Sequence, residues 1–142
     1  MYLALILPET ALSSIFTQII QGKLPCHIID QNEHFFAFLD INPIAPGHTL
    51  IVPKIEVDYF FDLDNTLLGA YLPFSKRIAS AIQKSVPCLR VGMMVAGLDV
   101  AHAHLHLVPI NGTNDLSFSN ARKATPESLA LMAKRITQHL SD

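Results

Sequence analysis

The chain has seven histidines, and three of them stand within five residues, His102-Ala103-His104-Leu105-His106, followed by Leu107-Val108-Pro109. Imidazole can act as a nucleophile, a proton carrier or a metal ligand near neutral pH, so three together can do chemistry. Polar and apolar residues alternate through the run, and successive side chains of a strand point to opposite faces. On a strand, one face would present His102, His104 and His106 in a row while the other buries Leu105 and Leu107. Three accounts fit such a row: nucleophilic catalysis, a metal site, or an incidental polar strand face.

A catalytic zinc site needs about three converging ligands, with their rings held by further carboxylates. Imidazoles spaced about 6.7 Å apart along a straight strand do not converge on one ion. A pair of them could, with His48 as a third ligand. The nucleophilic account uses all three: a central imidazole with one nitrogen fixed by a hydrogen bond attacks through the other, and its neighbours supply donors for the charge that builds up. At phosphorus that charge sits on the nonbridging oxygens, so the order suits phosphoryl or nucleotidyl transfer.

The elements that must position these residues are legible. Ser13-Ser14 caps a short helix over Ile15 to Gln21, with Ile15, Phe16, Ile19 and Ile20 at helical spacing. The runs Cys26–Asp30 and His34–Leu39, parted by Gln31-Asn32-Glu33, read as a hairpin. A loop with two prolines and a glycine, Asp40 to Gly47, leads into a third strand, His48–Pro53. From Asp64 to about Ser85, Leu67, Tyr71, Phe74, Ile78 and Ile82 mark a long helix, with a kink rather than a break expected at Pro73. Cys88–Ala96 reads as a fourth strand, Gly97–Ala101 as a tight connection and the histidine run as a fifth strand. Asn111–Asn120 is read as a loop. Thr125 caps a last helix with Pro126 at its first position and an apolar stripe of Leu129, Met132, Ala133, Ile136 and Leu140. This order is α+β: a five-stranded, mostly antiparallel sheet with helices on one face and the histidines on its polar face.

Composition sets the bounds. At 142 residues the chain suits one domain, and no repeat or low-complexity tract divides it. Half of its residues are apolar and its mean hydropathy is +0.34, yet no run approaches the roughly 18 apolar residues of a membrane span. Met1–Leu7 lacks a preceding Lys or Arg and a clear cleavage site, so residues 1–12 are expected to be an extension of unknown role and not a signal peptide. A net charge of −2 with 15% charged residues argues against nucleic acid as a partner. Cys26 and Cys88 show neither metal-ligand spacing nor a disulfide framework and are read as small buried residues. The expected compartment is the cytoplasm. His27, His34 and His139 are given no role.

Taken together, the motifs resemble those of the histidine triad (HIT) family. Besides His102-x-His104-x-His106, Ser14 to Pro25 resembles the family's amino-terminal helix, and Ala37 to Pro43 with Ala45 to Lys54 resembles its central strand and loop. The resemblance covers about residues 14 to 110 and implies a HIT-like fold over residues 13–142. It implies a hydrolase or transferase acting at the α-phosphorus of a nucleotide through a covalent nucleotidyl-histidine. Nucleoside monophosphate conjugates of the adenosine phosphoramidate kind are the expected substrates. A dinucleoside polyphosphate hydrolase and a nucleotide-binding scaffold with vestigial activity are the alternatives. By position, His104 is the nucleophile, His102 and His106 orient it and contact the phosphate, and His48 supports the cluster. Asp40 binds the ribose, whose vicinal hydroxyls a carboxylate can accept together. Ile15, Phe16, Ile19, Phe38, Leu39 and Ile41 wall the base pocket, although at these spacings apolar residues also serve as plain core. A purine nucleotide and a second copy of the chain are the expected partners, and no cofactor is implied.

Two departures qualify the resemblance. Zinc-containing relatives carry Cys-x-x-Cys where this chain has Ser14 and Thr17, and hydroxyls are poor zinc ligands beside thiolates, so no metal is expected. The loop before the triad, Val95–Ala101, is shorter than in many phosphoramidase-type members and lacks their Asn and Gln. Asp99 takes the polar position there, where it would either assist a leaving group or repel an anionic substrate.

Overall fold

In the computed structural model, which describes residues 13–140, each helix begins where a side-chain oxygen caps its first turn. Ser14 accepts from Thr17 N–H at α1 (Ile15–Ile20), Asp64 from Leu67 N–H at α2 (Asn65–Ser85), and Thr125 from Ser128 N–H at α3 (Pro126–Thr137). These acceptors satisfy amide groups that have no partner inside the helix. Helix α2 continues through Pro73 without a break. Residues 1–12, expected to form an extension, lie outside the described part.

Five strands, β1 (Ile28–Gln31), β2 (Phe35–Leu39), β3 (Thr49–Pro53), β4 (Arg90–Met94) and β5 (Leu105–Ile110), form one sheet in the order β1-β2-β3-β5-β4. Every neighbouring pair is antiparallel. The strands are shorter than the apolar runs that predicted them. Cys26, Cys88, Val95 and Ala96 fall outside, and so do His48, His102 and His104. The histidine run is therefore not one straight strand. The β3–β5 ladder ends at Ile51↔Leu105, and beyond it the backbone turns: Ala103 N–H donates to the Val57 carbonyl at 2.7 Å and His102 N–H to that of Val100 at 2.8 Å.

The main core lies between the sheet and helices α2 and α3. Phe35, Ala37, Leu39, Ile51, Leu105 and Leu107 meet Tyr71, Phe74, Ile78, Ile82, Leu129 and Ile136 there. Buried Tyr71 donates its hydroxyl to the Ile51 carbonyl, a bond that ties α2 to the central strand. The opposite face is not the open polar surface that the sequence suggested. Phe36, Phe38, Leu50 and Val52 form a second, smaller core with Phe16 of α1, because β2 is apolar at all five positions and must be covered on both sides. On β5 the same face carries His106, opposite Leu50 of β3 and Met94 of β4. The site sits at the rim of the second core.

Gly47 brings His48 to that rim. Its backbone has φ of +100°, which glycine adopts readily, and a Cβ there would lie 3.1 Å from Val86 Cγ2.

Candidate active site

His48 stands one residue before β3, on the same face as Leu50, and reaches His106 of β5. Hydrogen-bond partners assign the state of each ring. The Ile44 amide N–H donates to His48 Nδ1 at 2.9 Å, so the proton of neutral His48 is on Nε2. That Nε2–H lies 2.9 Å from His106 Nδ1 and donates to it, leaving the proton of His106 on Nε2. His106 Nε2 is buried and has no partner among the described residues. The relay from Ile44 through two imidazoles therefore ends in an unused N–H donor. A buried polar group without a partner costs on the order of 1–3 kcal/mol, so it is expected to have a use.

His104 is held in the opposite sense. Its Nδ1–H donates to the His102 carbonyl at 2.7 Å, which leaves Nε2 as a bare lone pair. Its ring centroid lies 4.9 Å from that of His106 and 5.0 Å from that of Phe16. A nucleophilic nitrogen and a donor N–H thus stand side by side on one wall. The carbonyl behind His104 also suits the positive charge its ring would gain on attack.

His102 does not join them. Its Nε2–H donates to the Pro53 carbonyl at 2.8 Å and its Nδ1 lies 2.6 Å from Ser14 Oγ. With both nitrogens occupied by protein and 0% of the residue exposed, it has no contact to offer a phosphate. The expectation that His102 touches the phosphate is corrected: its contact with His104 runs through its backbone carbonyl.

Burial keeps the supporting rings neutral. It lowers the pKa of His48, with Asp40 opposing, and that of His102, with the Pro53 carbonyl and Glu56 opposing. His106 is pushed down to about 3 by burial and then by its neighbours His48 and His104. Desolvation disfavours the charged imidazole, and a neutral His106 keeps its Nδ1 free to accept from His48.

His104 and His106 open on a cavity of about 740 Å³. Ile15, Phe16, Ile19, Phe38, Leu39, Asp40, Ile41 and Asp99 all border it, with His104 and His106. The six apolar members differ in kind. Phe16, Phe38 and Ile19 belong to the second core, and Leu39, alternating with Phe38, is packed in the main core. Ile15 and Ile41 are 50% and 55% exposed, so they offer apolar surface that the protein itself does not cover. Asp40 has two uses: Oδ1 accepts from Asn42 N–H at 2.8 Å, fixing the loop, and Oδ2 lies 3.7 Å from His48 Nε2.

Asp40, His48 and His106 have ligand atoms within 4.8 Å of one another, a spacing that a cation could bridge. The ring states oppose it. His48 Nε2 carries a proton toward that space, and moving the proton to Nδ1 would set it against the Ile44 N–H.

Sequence reasoning missed several participants. Phe118, in a stretch read as plain loop, lies on a 3₁₀ turn and stacks edge-on against His106 at 5.1 Å. Glu56 accepts from Ser14 N–H at 2.9 Å and from Thr17 Oγ1 at 2.5 Å, and Leu24, Pro25 and Leu50 extend the cavity wall. An exposed glutamate or a loop phenylalanine carries no sequence signal of its own. Cys26 and Cys88 are half-buried, not buried.

Comparison with known proteins agrees with this architecture. The HIT domain model matches residues 21–113. An uncharacterized HIT-like protein of Mycoplasma genitalium is 35% identical over 126 residues, covering 85% of this chain and 89% of its own length. An adenosine 5'-monophosphoramidase of Saccharomyces cerevisiae is 34% identical over 96 residues, covering 67% of this chain and 61% of its own length. Among solved structures, a zinc-bound histidine triad family protein of Mycobacterium smegmatis superposes with a TM-score of 0.78 at 26% identity, covering 92% of this chain and 95% of that one. With its five-stranded antiparallel sheet and a family match across most of its length, the chain belongs to the HIT family of nucleotide-binding hydrolases and transferases.

Proposed function

We propose that this protein hydrolyses nucleoside monophosphate conjugates of the adenosine phosphoramidate kind, with His104 as nucleophile. The observation that carries the reading is the pairing of His104 Nε2, a bare lone pair, with the unpartnered Nε2–H of buried His106. In the first step His104 Nε2 forms a bond to the α-phosphorus as the bond to the leaving nitrogen or oxygen breaks, the leaving atom taking up a proton from solvent. In the second, water displaces the imidazole, returns a proton to solvent and releases the nucleoside monophosphate. His106 Nε2–H donates to a nonbridging oxygen whose charge grows in both transition states. Asp40 accepts from the ribose hydroxyls, and Ile15, Phe16, Ile19, Phe38 and Ile41 hold the base, with Leu39 contributing only backbone to that wall. The yeast relative, named as an adenosine 5'-monophosphoramidase, supports this substrate class.

The cavity's charge favours phosphoramidates over dinucleoside polyphosphates. Histidines aside, its ionisable lining among the described residues comprises Cys26, Asp40 and Asp99, with no Lys or Arg. A departing nucleoside polyphosphate would need cations to hold it, whereas an amine departs neutral or positive and is favoured beside Asp99. The decisive experiment is steady-state turnover of a fluorogenic adenosine phosphoramidate, with calorimetric binding of AMP and acid-quench trapping of the adduct. Turnover with an acid-labile nucleotide on the peptide containing His104 is expected. AMP binding without turnover would leave a scaffold as the function, and an adduct on another residue would refute the mechanism.

A further inference from the structure

The function assigned above leaves Glu56, Ser14 and Thr17 unused, yet they form a connected group at the first turn of α1 that ends on His102. Ser14 Oγ lies 2.6 Å from His102 Nδ1 and accepts from Thr17 N–H at 3.0 Å. Because His102 Nε2–H is committed to the Pro53 carbonyl at 2.8 Å, its Nδ1 accepts, and the single hydroxyl proton of Ser14 must point to it. One other donor competes for this corner: the Thr17 hydroxyl lies 3.4 Å from both His102 Nδ1 and Ser14 Oγ. Glu56 Oε1 accepts from that hydroxyl at 2.5 Å and from the Ser14 amide at 2.9 Å, which also fixes the Ser14 backbone. It clears the corner so that one donor, Ser14 Oγ–H, meets His102.

We propose that Glu56 and Ser14 are positioning residues for the nucleophile: they fix the ring of His102, and with it the His102 carbonyl that holds His104 Nδ1–H. The inference rests on reading His104 as the attacking group. It has a physical route to rate: His102 N–H and C=O bond on either side of its side chain, to Val100 and His104 at 2.8 and 2.7 Å. A ring released from Pro53 or Ser14 frees the backbone that aims His104, and small misplacement of a reacting group costs rate more than binding. Neither residue borders the cavity, so substrate affinity is not their concern.

The test compares Ser14→Ala, Ser14→Thr, Glu56→Ala and Glu56→Gln in the full chain, reading kcat and KM on an adenosine phosphoramidate and the nitrogen resonances of the histidine rings by NMR. Ser14→Ala and Glu56→Ala are expected to lower kcat about tenfold with KM within about twofold. The His102 ring should lose its single tautomer in Ser14→Ala. Ser14→Thr keeps the hydroxyl and Glu56→Gln keeps the accepting Oε1, so both should recover most of the rate, which a role resting on the Glu56 charge would not allow. Wild-type kcat in Ser14→Ala and Glu56→Ala, or unchanged His102 and His104 resonances in Ser14→Ala, would overturn the proposal. If the wild type turns over no phosphoramidate, the functional reading fails and the resonances alone decide the positioning claim. If Ser14→Ala does not fold, Glu56→Ala carries the same comparison.

Discussion

The relay from the Ile44 amide through His48 to His106 makes a prediction that a double-mutant cycle can break. His48→Ala removes a side chain that is 1% exposed and leaves two groups without their partner, the Ile44 N–H and His106 Nδ1. At about 1–3 kcal/mol for each buried group, the loss of stability is about 2–6 kcal/mol, toward the low end if water enters the vacated space. The effect on rate is smaller and indirect. Without His48 nothing selects the Nε2–H tautomer of His106, and a preference worth about one hydrogen bond, near 1 kcal/mol, corresponds to a roughly fivefold loss of turnover. His106→Ala removes the donor itself, for which about 10²–10³ in kcat is expected. Because His48 acts on the reaction only through His106, the double variant should turn over no more slowly than His106→Ala alone. Single-turnover rates on an adenosine phosphoramidate, with denaturant melts of each variant, make the comparison. If His48→Ala slows the His106→Ala protein by the same factor as it slows the wild type, the relay is wrong and His48 acts by a separate route, with Asp40 as the first suspect.

Three further predictions follow from the same geometry. Burial lowers the pKa of His48, His102 and His106 in the folded state, so the unfolded chain binds more protons below pH about 6.5 and stability must fall as pH drops. For His106, held down to about 3, this amounts to about 2 kcal/mol between pH 7 and pH 5, and denaturant melts showing equal stability at the two pH values would contradict it. Purified protein is expected to carry no stoichiometric zinc and to keep its activity in chelator, since His48 Nε2 is protonated and Ser14 and Thr17 offer hydroxyls; about one zinc per chain by elemental analysis after desalting would refute this. A homodimer is expected through α2 and the edge strand β4, where Leu72 and Met93 are 55% and 51% exposed beside a groove that includes Pro73 and Val91; light scattering at micromolar concentration should give twice the chain mass and Met93→Arg should halve it, whereas a wild-type monomer would dismiss the interface.

How much of this was legible in the sequence depends on whether a feature is carried by pattern or by contact. The three helices were found within about a residue of their starts because Ser14, Asp64 and Thr125 combine a capping side chain with an apolar stripe of helical period, although the stripe of the last was carried to Leu140, past its end at Thr137. The strands were found but drawn too long, since hydrophobicity continues past the point where a neighbour stops pairing, as at Cys26 and Val95. The same excess misled the reading of the triad. Alternation placed His102, His104 and His106 in one row, whereas the ladder ends at Leu105 and His102 turns under the first turn of α1. Alternation describes a strand only while the strand lasts. The covered second face was missed because helices were expected on one face of the sheet only, and it is α1 folding back over Phe36 and Phe38 that gives the other face a core.

The chemistry divides along the same line. The motifs and the family resemblance they carry were enough to name His104, His106, His48 and Asp40; His104, His106 and Asp40 border one cavity, and His48 stands beside Asp40 and His106. What decides their roles is where each proton sits, and that is set by backbone groups without sequence identity: the Ile44 amide, the Pro53 carbonyl and the His102 carbonyl. Two neighbouring imidazoles of the same residue type differ, one with a bare Nε2 and the other with an Nε2–H, because one donates through Nδ1 to a carbonyl and the other accepts at Nδ1 from a histidine. Sequence therefore specifies the candidates, while the fold assigns complementary tautomers to them. A substitution at Pro53 or Ile44 that preserves the side-chain environment but shifts the backbone would alter the reaction without touching any histidine.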